Sequence, residues 1–91
     1  MAVSRAERRA GRRTKVAVLF ADETDRALDL LELMEIAWHD VHGEVTPPDQ
    51  VILDVLALSR GDLDELIRWV RLAVVDWRDV RVAADEFRAT D

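Results

Sequence analysis

The sequence predicts an all-α fold: a three-helix bundle-like domain with a long C-terminal helix, preceded by a disordered basic arm. Three observations carry that expectation. Leu63, Leu66, Ile67, Val70, Ala73, Val74 and Trp77 recur at the spacing of one apolar helix face. Gly43 and the Thr46-Pro47-Pro48 stretch divide the chain before it into two further helix-length pieces. Residues 1–15 carry no apolar periodicity and are placed outside the core. The boundaries that follow are an arm over 1–22 and a single helical domain over 23–91.

Charge separates the same two parts. The chain has 91 residues and a net charge of −6. Residues 1–15 hold six basic groups, Arg5, Arg8, Arg9, Arg12, Arg13 and Lys15, against Glu7, a net +5. The rest holds seven arginines against eighteen acids, a net −11. An acidic body repels nucleic acid and anionic membrane, so nucleic-acid binding is expected only through those six side chains. No aromatic residue is interleaved with them for base stacking. Arg12-Arg13 ahead of Val16–Ala21 has the look of an export signal, but the apolar run is too short for one. Val16–Phe20 could be a short strand or the approach to a helix, but no second strand is available to pair with it, so loosely packed or helical chain is expected. Cysteine is absent, which removes disulfides, Cys-ligated zinc and thiol chemistry, and suits a reducing cytoplasm. No apolar run reaches the ~20 residues that span a bilayer.

The first helix is expected over 24–42, ended by Gly43. Ala27, Leu30, Leu31, Met34, Ala37, Trp38 and Val41 share one face. Leu33 and Ile36 lie off it, so the apolar arc is wider than one partner helix covers. Glu35, His39 and His42 fall at roughly 0°, 40° and −20° around the axis, the placement of a candidate divalent-metal site. The spacing E-x-x-x-H-x-x-H is much less specific than H-E-x-x-H. The competing reading is histidine at a helix C-terminus, where the imidazolium meets the negative end of the dipole.

Thr46 as N-cap with Pro47 at the first helical position predicts a second helix from about 47 to 58. Only Asp54 is polar between Val51 and Leu58, so this helix is expected to be wedged between the other two. Ser59-Arg60-Gly61 closes it. Asp62 with Glu65 has the spacing of a capping box opening the third helix, 61–88, about 40 Å long if straight. The pair of helices invites a DNA-reading helix-turn-helix, but Asp62, Asp64 and Glu65 would meet phosphate at the reading end. The apolar stripe breaks at Arg81. Trp69 and Phe87 then stand as surplus to one core, and Trp77-Arg78-Asp79 with Arg71 and Arg81 reads as surface charge pairing or an anion patch.

Leu30 to Asp85 resembles small uncharacterised helical proteins of actinobacteria, through E-I-A-W-H-D-V-H-G-E-V-T-P-P (Glu35–Pro48) and R-L-A-V-V-D-W-R-D-V-R-V-A-A-D (Arg71–Asp85). The resemblance implies a bacterial, cytoplasmic protein and no particular activity.

A folded part of roughly 70 residues without disulfides is marginal alone, and oligomerisation is a usual remedy. The function expected is therefore a non-catalytic protein–protein interaction module, a homodimer joined through Leu33 and Ile36 on one helix and Trp69 and Phe87 on another. Two rivals are a nucleic-acid accessory acting through the arm and a metal protein using Glu35, His39 and His42. No cofactor is implied, and the scarcity of acid–base residues argues against an enzyme.

Overall fold

The computed structural model describes residues 3–90 and contains four α-helices with one short 3₁₀ turn. Helix α1 is Arg5–Phe20, α2 is Thr24–His42, α3 is Asp49–Ser59 and α4 is Leu63–Thr90, with the 3₁₀ turn Ala21–Glu23 between α1 and α2. No strand occurs among the described residues.

The largest departure from the sequence reading is α1. The segment expected to be a disordered arm is a helix. Its start is a capping box: the Glu7 N–H donates to Ser4 Oγ at 3.1 Å, and the Glu7 side chain answers the Ser4 N–H. The S-x-x-E spacing was there to be read. Val16 and Phe20, one turn apart, are buried and fasten the C-terminal end of α1 to the core. Val16–Phe20 is thus helix, not strand.

The chain then reverses sharply. Ala21 sits at φ 48°, ψ −113°, a conformation that suits glycine and strains alanine. The reversal lays α1 antiparallel along α2, with Arg5, Arg8 and Arg12 beside Glu35 and Arg13 beside Asp25. Helix α2 has the limits expected, ending on Gly43 at φ 73°, and buries Ala27, Leu28, Leu31, Met34 and Trp38.

Helix α3 begins at Asp49 rather than Pro47. Its N-cap is Pro48, and the Thr46 hydroxyl is used elsewhere, as an acid's hydrogen-bond donor. The helix is not wedged between α2 and α4. Instead α4 is central, packing on α3 and on α2, while α1 packs on α2. The turn from α3 to α4 passes through Arg60 at φ 53° and Gly61 at φ 77°. A Cβ on Gly61 would lie 2.4 Å from the Leu19 carbonyl oxygen, so glycine is required both by conformation and by this backbone approach.

The expected straight spine is bent. Asp76 has φ −148°, ψ 78°, so α4 is two helical halves joined at one extended residue. The Asp79 N–H donates to Asp76 Oδ1 at 3.4 Å, making Asp76 the N-cap of the second half. At the bend His42 Nε2 lies 3.0 Å from the Val74 carbonyl oxygen, placed to donate to it. Trp69 from the first half and Phe87 from the second line one cavity. On a straight helix they would be about 27 Å apart. The bend also exposes Trp77, expected on the core face, and buries Val80 and Ala84.

Candidate functional site

The groups singled out from the sequence fall into three places. The first is the Glu35 side chain. It is fully buried between α1 and α2. Arg8 grips it with two bonds, Nε to Oε2 at 2.7 Å and a terminal nitrogen to Oε1 at 2.9 Å. Arg12 donates to Oε2 at 2.7 Å, and Thr46 Oγ1 donates to the same oxygen at 3.1 Å. Arg5 stands further off at 3.6 Å. Burial acts to raise the carboxyl pKa, but the bonds from Arg8 and Arg12, with the charge of Arg12 and the Thr46 hydroxyl, outweigh it and hold Glu35 below the ordinary glutamate range. The same bond raises Arg8 above the usual arginine value.

This arrangement does not bring Glu35, His39 and His42 together as ligands of one ion. Glu35 is committed to α1, His42 is committed to the Val74 carbonyl and stacked 4.1 Å from Trp38, and His39 faces outward. Among the described residues no three His, Asp or Glu side chains gather as a cation site.

The basic side chains are likewise not a free arm. Arg9 bridges Asp29 at 2.7 Å and Glu32 at 3.1 Å, and Arg13 meets Asp25 at 3.0 Å. The bonds to Asp29 and Glu32 raise Arg9 above its usual pKa. Of the six, Lys15 alone makes no ion pair among the described residues. Phosphate would have to displace Glu35, Asp25, Asp29 and Glu32 to engage the rest, which removes the premise of a mobile phosphate-seeking tail. Arg8, Arg12 and Lys15 do border a groove of about 710 Å³ between α1 and α3, floored by Ile52, Leu53 and Leu56.

The second place is the α3–α4 contact, which sequence reasoning missed. Asp54, the lone polar residue of its run, is fully buried. Arg81 donates to both its oxygens at 3.1 and 2.9 Å, Arg88 donates at 2.8 Å, and Gln50 donates at 3.0 Å. The bonds to Asp54 and its charge raise Arg81 above its usual value. Arg81, where the apolar stripe broke, is therefore the counter-ion of Asp54. A lone acid in an apolar run and a lone base in an apolar stripe were the available signal. Arg81 also reaches Asp85 at 3.8 Å, and Arg68 lies 3.7 Å from Glu65.

The third place is the apolar surplus, and the structure splits it. Trp69 and Phe87 are half-buried within the chain. They line a cavity of about 490 Å³ with Leu58 and Arg60, and the Arg60 guanidinium lies 4.8 Å over the Phe87 ring. Trp69 Nε1 is buried there with no acceptor among the described residues. These two residues are part of the α3–α4 packing rather than an open face. Leu33 and Ile36 are the opposite case: they stay 60 % and 44 % exposed on α2. Leu30 and Ala37, half-buried and packed against the core, border this stripe. Val41 follows at the end of α2, and Val75 and Trp77 are exposed at the nearby α4 bend.

No family model, curated protein or solved structure matches this chain. No helix among the described residues is long and apolar enough to cross a membrane.

Proposed function

We propose that the protein is a non-catalytic interaction module that associates with itself through the outward face of α2. The observation that carries this reading is the exposure of Leu33 and Ile36 on a helix that α1 and α4 otherwise pack against. Leaving two large aliphatic side chains in water forgoes roughly 25 cal/mol for each Å² of apolar surface that association would bury. Leu33 and Ile36, three residues apart, have the spacing with which one helix packs on another. The non-catalytic part rests on the titratable groups. The two buried carboxylates are saturated by arginines, and neither lines the larger groove. Absence of cysteine suits the reducing cytoplasm we assign to it.

Ile36→Asp tests the surface. The side chain is exposed in the protomer, so the helical circular dichroism and melting curve should hold. Association measured by sedimentation equilibrium should weaken at least tenfold. Unchanged association in a folded variant would remove this face from the proposal.

A further inference from the structure

Given that reading, we infer that the partner is a second copy of this chain in one register: antiparallel, with the two-fold axis passing Leu33. The evidence is the charge at the two ends of the stripe. Arg26 and Asp40 are both exposed, and neither makes an ion pair or a side-chain hydrogen bond among the described residues. Arg26 lies seven residues before Leu33 and Asp40 seven after it. That is two helical turns in each direction, about 10 Å, and returns to nearly the same face.

A two-fold interface must be complementary to itself. Turning α2 about an axis at Leu33 brings Leu33 onto Leu33 of the second copy. It sets Arg26 against Asp40 at both ends, with Ile36 of each copy flanking the axis. Two equivalent ion pairs then close an apolar strip. A parallel pairing in register would instead set Arg26 on Arg26 and Asp40 on Asp40, each repelling its like. The charges thus favour one orientation as well as one partner. Asp29 and Glu32, the other acids along this part of α2, are already engaged by Arg9 and stay within the protomer.

The chain lacks cysteine, so a single introduced thiol reports the axis without background. With helix axes 8–10 Å apart and Cα atoms about 2.3 Å from each axis, facing Cα atoms approach to roughly 4–5 Å, within reach of a disulfide. Under mild oxidation Leu33→Cys should cross-link into a covalent dimer, while Val82→Cys, exposed on α4, should not. Charge exchange is the second arm. Arg26→Asp and Asp40→Arg should each weaken association about tenfold, and the double variant should return to within about twofold of the parent. All three positions are exposed, so the protomer should fold in each case. Cross-linking at Leu33 together with rescue supports the register. A parent dimer with neither cross-linking nor rescue overturns the register and leaves self-association through α2 standing. A parent protein that stays monomeric at every concentration overturns both.

Discussion

Glu35 on α2 and Asp54 on α3 are each buried, and each is gripped by two arginines from the helix beside it. The two clamps differ in cover. Arg8 and Arg12 are each 13 % exposed, whereas Arg81 and Arg88 are 32 % and 41 % exposed. They differ in setting as well. Helix α3 is held to α4 by an apolar contact that includes Val55, Leu56, Leu66 and Val70, so Asp54 is an addition to packing. The first two turns of α1 bury no apolar side chain at all, so the buried Glu35, helped by the partially exposed Arg9 bridges to Asp29 and Glu32, is what fixes them. A buried ion pair contributes little over an apolar substitute, but removing one member leaves the others stranded. Where apolar contact is missing, the ion pair becomes the tether.

The largest effect should follow Glu35→Ala. It strands Arg8 and Arg12 and should cost about 3–5 kcal/mol in urea-unfolding free energy. Amide hydrogen exchange should accelerate across Arg5–Arg13 beyond the change elsewhere. Asp54→Ala should cost less, because its arginines can turn to water, and should not release α3. Equal losses, or protection kept in α1, would break the comparison.

Gly61→Ala probes the joint between the two halves, where the α3–α4 turn meets the end of α1. The added methyl meets the Leu19 carbonyl in a backbone conformation strained for alanine, and a loss of about 2 kcal/mol is expected on thermal or urea unfolding. A neutral result would mean that α1 ends elsewhere.

Acid should separate the clamps next. The Glu35 carboxyl is held below its unfolded value, so its contribution is complete at neutral pH. It is lost as the pH falls past the ordinary glutamate range and through the folded value. The stability gap between the parent protein and Glu35→Gln, followed by urea midpoints, should therefore be widest near pH 7 and close on acidification. A gap independent of pH would remove the electrostatic account of the tether.

The smallest effect is a gain. Ala21 carries the positive φ of the α1–α2 reversal and is exposed, so Ala21→Gly should stabilise by about 0.5–1 kcal/mol in the same unfolding assay. Destabilisation would show that this turn is not strained.

Local signals in the chain predicted local structure well. The limits of α2, its Gly43 stop and the Asp62 cap of α4, where the Glu65 N–H donates at 3.1 Å, follow from neighbours in sequence. What escaped depends on distant partners. The arginines of α1 look solvated because Glu35 lies more than twenty residues away, and only the Ser4–Glu7 box announced a helix. The bend at Asp76 was hidden because Val74, Val75 and Trp77 keep a helical pattern across it, and the residues that stabilise it are His42 and Asp79. For the same reason Trp69 and Phe87 looked surplus on a straight helix, yet the bend brings them to one cavity. Leu33 and Ile36 needed no distant partner to be recognised, and they are exposed as expected.

The outward face of α2 is the centre of the functional account, and the mass of the protein in solution tests it most directly. Light scattering across a concentration series should give a species of twice the 10.4 kDa chain mass, shifted towards the single-chain mass by Ile36→Asp. A parent protein that holds 10.4 kDa at every concentration would contradict self-association through this face.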